Sequence, residues 1–207
     1  REQLKDVTVE MALKHPSWQM GNKITIDCAT MMNKGFEIIE AYYLFNFPLD
    51  KIDVLIHDES HIHSLVEFND GSYIADIGPA DMRVPISYAL FKMKRVKNDF
   101  KRLPIEEFCT FHFRKFNLDR YPCVGYAREA LTIGGTMPAV VNAANEEAVY
   151  AFLNKEISFL SIEKIIKNVM QEHNVIKSPT LSDLLMANDW AREQAKNLIK
   201  KEHDLCI

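Results

Sequence analysis

Asp27-Cys28-Ala29-Thr30-Met31-Met32-Asn33-Lys34-Gly35-Phe36-Glu37-Ile38-Ile39-Glu40 is the stretch on which the reading of the chain turns. Lys23-Ile24-Thr25-Ile26 leads into it as a strand-like run, while Met32, Phe36, Ile39 and Tyr43 recur at helical spacing, so the segment predicts strand, sharp turn and helix. Asp27 and Thr30 are good N-cap residue types, and the free amides of a first helical turn form an anion site. Asn33, Lys34 and Glu37 then share one side within two turns of that end. Lysine, asparagine and amides suit a phosphate. A carboxylate beside them would repel the ligand unless a divalent cation lies between, which makes Glu37 a candidate metal ligand. Lys34 with Glu37 also reads as an ordinary exposed helical ion pair, worth ~0.2–0.5 kcal/mol.

Upstream, Val9 to Lys14 predicts a short helix capped by Thr8 and ended by His15-Pro16. Trp18 and Met20 follow in a polar loop, either as a small apolar anchor, the commoner state of a loop aromatic, or as the inner face of a lid. Downstream, the helix ends near Asn46-Phe47-Pro48. Strands are expected at Asp53 to His57, His63 to Phe68 and Ser72 to Ile77, the last two joined by the hairpin signal Asn69-Asp70-Gly71. His57, His61 and His63 look ligand-rich, yet the polar Asp58-Glu59-Ser60 bends the run and no metal-ligand spacing is present, so they read as hydrogen-bonded histidines. Gly78 to Pro85 is a turn leading into a helix, with Met82 by itself a core residue.

From 92 to 117 the basic residues show little periodicity and read as a surface linker. Beyond Leu118 the pattern is helical: Val124 to Leu131, a break at Gly134-Gly135, Val141 to Leu153, Ile162 to Glu172 capped by Ser161, and Ser182 to about His203. Ile162, Ile165, Ile166 and Val169 form one apolar stripe, and Leu184, Ala191, Ala195 and Leu198 another. The fold class expected is α+β, a small mixed or antiparallel sheet with helices over residues 1–91, a linker over 92–117, and an all-α bundle over 118–207.

With 207 residues, 47% hydrophobic and 26% charged, the chain can bury one or two cores. A net charge of −4 and the lack of a basic run argue against nucleic acid as a partner. Cys28, Cys109, Cys123 and Cys206 are scattered without a CxxC pair, which fits a reducing compartment. No apolar run approaches a bilayer span and no signal-peptide pattern opens the chain, so a soluble protein is expected. The sheet edge left by the strands between Val54 and Ile77 needs cover, and a second copy is one solution, hence an expected homodimer.

Asp-Cys-Ala-Thr-Met-Met-Asn-Lys-Gly at 27–35 closely resembles the Asp-Ser-Ala-Thr-Met-Met-Asn-Lys-Gly signature of the 1-deoxy-D-xylulose 5-phosphate reductoisomerase family. The resemblance extends to His15-Pro16-Ser17-Trp18-Gln19-Met20-Gly21-Asn22-Lys23-Ile24, Leu55-Ile56-His57, Ile62-His63-Ser64, Asp81-Met82-Arg83, Arg120-Tyr121-Pro122-Cys123 and Asn142-Ala143-Ala144-Asn145-Glu146. It implies an NADPH-dependent enzyme of non-mevalonate isoprenoid biosynthesis that uses Mg2+ or Mn2+ to make 2-C-methyl-D-erythritol 4-phosphate, in a bacterial cytoplasm or plastid stroma. By motif match it implies Glu37 as metal ligand, Asn33 and Lys34 as substrate-binding, and His15 and Trp18 on a loop closing over the substrate. It further implies His63 near the active site, Met82 in the substrate pocket wall, and Gly21 near the cofactor. Glu37, His15 and His63 are thus the catalytic candidates. Cys28 stands where the family has a phosphate-binding serine; a thiol is a weaker donor, or Cys28 is a small buried hydrophobe. No GxGxxG turn is present and no upstream lysine or acidic pair, so the chain resembles the C-terminal part of such an enzyme. A non-catalytic module that keeps the fold without turnover is the alternative.

Overall fold

The computed structural model describes residues 2–14 and 20–205. In chain order the elements are α1 Val9–Ala12, α2 Asn22–Thr30, α3 Met32–Phe45, β1 Leu55–His57, β2 Ile62–Glu67, β3 Tyr73–Ile77, α4 Arg83–Leu90, β4 Phe113–Lys115, α5 Pro122–Ile133, α6 Met137–Leu153, α7 Phe159–Glu172 and α8 Leu181–Leu205. The expected α+β class is observed. Backbone contacts group residues 1–53 with 117–207 in one unit and residues 54–116 in another. The first 53 residues therefore pack with the C-terminal helices, whereas the sequence reading grouped them with the strands.

The larger unit is helical and centred on α6, whose Val140, Val141, Ala144, Ala148 and Val149 are fully buried. The α7 stripe of Ile162, Ile165, Ile166 and Val169 is buried as its spacing predicts. On α8 the small residues Ala187, Ala191 and Ala195, one turn apart, allow close approach to α6, and Ile199 extends the stripe. Leu184 and Leu198 flank it, half-buried. Arg192 then clamps the two helices from the solvent side, donating to Glu147 Oε1 at 2.8 Å and to Glu146 Oε2. Helix α7 starts one turn earlier than expected: its N-cap is Ser158, Phe159 packs edge-on to Phe152 at 5.5 Å, and Ser161 lies buried inside the helix. Thr8 caps α1 as predicted, its Oγ1 accepting from the Met11 amide at 3.2 Å.

One correction bears on the site. Lys23-Ile24-Thr25-Ile26 is helical, part of α2, because burial falls on Thr25, Ile26, Asp27 and Thr30 rather than on alternate residues. The β-branched run misleads: Thr25 satisfies its hydroxyl on the Gly21 carbonyl at 3.0 Å, one turn back in the same helix. Asp27 and Thr30 accordingly lie within α2 and do not cap α3. The two helices meet at Met31, a left-handed residue (φ 60°) that closes α2 and opens α3.

In the smaller unit β2 and β3 form the expected hairpin, with Leu65 opposite Ala75 and Val66 opposite Ile74. Its turn is held by Gly71 at φ +83° and by Asp70 Oδ1, which accepts from the Ser72 amide at 2.9 Å. Strand β1 pairs instead with β4, Leu55 facing Lys115, so the stretch read as linker contains a strand. Two cross-strand ion pairs flank that ladder, Asp58 with Arg114 and Glu59 with His112, and His57 stacks on Phe113 at 4.6 Å.

The His112 amide and ring beside Glu59 hold its carboxyl down at about 2, while Glu59 raises His112 above its usual range. A raised histidine contributes stability below 6.5 and loses it as pH climbs through its folded value; a depressed glutamate contributes above 4.5 and loses it toward 2. Amide protection across β1 and β4, corrected for intrinsic rates, is therefore expected to peak between 4.5 and 6.5 and to fall as pH climbs through the raised value of His112. Hydrogen exchange at several pH values checks this. Protection that holds level into the alkaline range, or that keeps the same profile in His112→Asn, contradicts it.

Candidate functional site

The left-handed Met31 presents the last turn of α2 to the first turns of α3. Lys34 Nζ donates to Glu37 Oε2 at 2.5 Å, with the Glu37 side chain 50% exposed. Lys34 and Glu37 thus share a side, joined as the ion pair. Cys28, in the last turn of α2, is half-buried. Burial pushes its thiol up, helped by the Asp27 and Glu37 carboxylates and opposed by the Lys34 ammonium, so this sulfur is a neutral thiol within electrostatic reach of both α3 residues. Asn33 Oδ1 is buried without a hydrogen-bond partner among the described residues. A buried carbonyl oxygen left open is costly, and a bound donor would relieve it.

The sequence reading missed the polar network behind these residues. Asp27 is 1% exposed, and its Oδ2 accepts from Lys23 Nζ at 2.6 Å while its Oδ1 accepts from Asn145 Nδ2 of α6 at 2.9 Å. The Lys23 ammonium also lies over the Phe36 ring, 5.3 Å from its centre. The signal available was the Lys23–Asp27 spacing of four, which is that of a helical ion pair and not of a strand.

Gly21 is the N-cap of α2, and a Cβ built there meets no atom of the described residues within 4 Å. His15 and Trp18 lie outside the described residues. In the smaller unit His63 Nε2 bonds the Gly78 carbonyl at 3.2 Å, and Met82 is exposed just before α4. His57 Nδ1 lies 3.1 Å from Glu59 Oε2, and His61 Nε2 lies 3.4 Å from Glu107 Oε2. No group of three or more histidine, cysteine, aspartate or glutamate side chains among the described residues can hold a metal ion. Glu37 is the half-exposed carboxylate at this junction, paired with Lys34, and one carboxylate cannot form a metal cage alone.

The chain is an α+β protein in which a lysine, an open amide oxygen, a thiol and a half-exposed carboxylate gather where two helices join. It belongs to the DXP reductoisomerase C-terminal domain family: that family's model matches residues 77–194, and a second, 1-deoxy-D-xylulose 5-phosphate reductoisomerase C-terminal domain, matches residues 1–45. It is 50% identical over 202 residues to 1-deoxy-D-xylulose 5-phosphate reductoisomerase 1 of Bacillus thuringiensis subsp. konkukian, covering 98% of this chain and 52% of that protein. It is 52% identical over 201 residues to the reductoisomerase of Halalkalibacterium halodurans, covering 97% and 53%. Among solved structures, the Zymomonas mobilis reductoisomerase in complex with NADPH superposes with a TM-score of 0.88 at 42% identity, covering 96% of this chain and 51% of that one. A DOX-P reductoisomerase in complex with NADPH, fosmidomycin and magnesium superposes at 0.84 and 36% identity, covering 96% and 51%. The chain spans about half the length of the relatives it matches.

Proposed function

We propose that this chain supplies the phosphate-binding and metal-binding side of an NADPH- and Mg2+- or Mn2+-dependent reductoisomerase that converts 1-deoxy-D-xylulose 5-phosphate to 2-C-methyl-D-erythritol 4-phosphate in the non-mevalonate pathway. The observation that carries the reading is the junction at Met31, where Cys28, Lys34 and Glu37 come within electrostatic reach of one another. Lys34 holds the phosphate by a charge-assisted bond of about 1.5–3 kcal/mol, and Asn33, whose open Oδ1 takes a donor, binds the substrate at a hydroxyl. Glu37 would hold the divalent cation once the phosphate pairs with Lys34, and that cation would supply polarisation of the substrate carbonyl and hydroxyl oxygens. His15 and Trp18 are proposed as further substrate contacts, and the flank of Gly21, open among the described residues, would admit the nicotinamide cofactor.

Self-association belongs to the same proposal. The β2–β3 hairpin is two-stranded and carries exposed Leu65, Val66, Tyr73 and Ile74, a surface that a second copy would cover. A monomer in sedimentation at micromolar concentration contradicts it. A bacterial cytoplasm or plastid stroma fits the proposed activity, and no described helix is long and apolar enough to cross a membrane.

Calorimetric titration of the full-length product of the gene with 1-deoxy-D-xylulose 5-phosphate, with and without Mg2+, tests the reading. Metal-dependent binding is expected, and absence of binding in both conditions contradicts it. Cys28→Ser restores a hydroxyl donor toward the phosphate, with an expected gain of about 1 kcal/mol, roughly fivefold in Kd. Unchanged affinity would mean that Cys28 only packs.

A further inference from the structure

The side chains of Cys28, Asn33, Lys34 and Glu37 hang on two helices that meet at one left-handed residue, so their mutual spacing depends on how each helix is fastened. Helix α3 is fastened to α5 at Gly35, where a Cβ would lie 2.9 Å from the Ala127 Cβ. Helix α2 is fastened to α6 by the bond from Asn145 Nδ2 to Asp27 Oδ1, between residues that are 0% and 1% exposed. Burying a carboxylate against an amide is a poor way to gain stability, since well-packed apolar residues of similar volume commonly do as well or better. A directed bond adds rotational register. Asn145 Oδ1 has no partner among the described residues, so the amide's orientation answers to Asp27, and the flipped amide would set oxygen against oxygen. Lys23, bonded to the other carboxylate oxygen, neutralises a charge that would otherwise repel an anion next door.

We propose that Asn145, acting through Asp27, is a positioning residue for the site. It sets the rotation of α2 so that residue 28, the next in the chain, faces the first turn of α3. A slip of one residue would rotate that face by about 100° and carry the thiol away. The inference rests on the proposed role of this junction in binding the substrate phosphate.

The test uses the full-length gene product and three variants. Asn145→Leu is expected to raise KM for 1-deoxy-D-xylulose 5-phosphate about tenfold while kcat changes less than about threefold. In the same variant, amide exchange across residues 28–37 should accelerate about tenfold, with α7 and α8 unchanged. Asp27→Asn keeps an acceptor for Asn145 and loses only the bond from Lys23, so KM should stay within about threefold of the parent. The double variant Asp27→Leu with Asn145→Leu removes the buried charge with its partner, stays folded, and keeps the raised KM. Parental KM in either leucine variant, or exchange in Asn145→Leu that is unchanged at 28–37 or faster throughout the helical unit, overturns the proposal. If the parent does not turn over the substrate, the functional reading fails by itself, and exchange at 28–37 still decides whether Asn145 positions the junction.

Discussion

Gly135→Ala is expected to destabilise the helical unit by about 2–5 kcal/mol, the largest stability loss expected here from a single methyl group. Gly135 has φ +60°, and a Cβ there would lie 2.1 Å from the carbonyl oxygen of Ile176 and 2.9 Å from its carbon. Both are backbone atoms, so no rotamer change relieves the clash. The left-handed conformation adds about 1–2 kcal/mol for any residue with a Cβ, and forced repacking adds about 1–3 more. Neither can be relieved by moving the turn, because it is fastened on the far side. The Thr136 amide donates to the Ile176 carbonyl at 3.1 Å, and the buried Thr136 Oγ1 accepts from the Ile176 amide at 3.2 Å and lies 2.7 Å from His173 Nε2. Burial pushes His173 down, which keeps it neutral in that bond near neutral pH. Gly134 next door is the control: its φ is +73°, but the nearest atom to a built Cβ is 3.9 Å away, so only the backbone cost applies. Thermal melting of the chain should show Gly135→Ala lower by roughly 10 °C and Gly134→Ala by a few degrees. Equal midpoints for the two variants would contradict the packing described.

Glu37→Gln should have the largest effect on activity. In the full-length gene product we expect kcat to fall by about three orders of magnitude, on the order of 4 kcal/mol of transition-state stabilisation. Glutamine keeps the shape and the ability to accept from Lys34 but carries no charge to hold a divalent cation. Glu37 is half-exposed and its present bond is an exposed helical pair, so stability should change by less than about 0.5 kcal/mol. The two readouts separate the readings of this residue. Lost turnover with an unchanged melting point marks a ligand, and unchanged turnover marks a surface ion pair.

Much of the fold was legible where one kind of periodicity dominates a long segment. The α7 stripe, the hairpin around Gly71 and the break at Gly134-Gly135 are all found where the sequence places them. Short or mixed segments were not. Ile24-Thr25-Ile26 has the β-branched content of a strand, but tertiary burial of Ile26 and Asp27 against α6 decided for a helix. Strand β4 has three residues in a charged stretch and becomes a strand only by pairing with β1, far away in the chain. At the site, the shared side of Lys34 and Glu37 followed from helical spacing alone. Asp27 read as a cap because aspartate before an amphipathic run usually is one, and its burial depends on Asn145, which the sequence separates from it by 118 residues.

The most direct measurement is turnover of 1-deoxy-D-xylulose 5-phosphate by the full-length gene product with NADPH and Mg2+, following NADPH oxidation and identifying the product. Metal-dependent oxidation of one NADPH per molecule of 2-C-methyl-D-erythritol 4-phosphate formed is the predicted result. A folded protein that oxidises no NADPH, with Cys28 as found and with Cys28→Ser alike, would contradict the proposed function and leave a module that keeps the family's fold without its reaction.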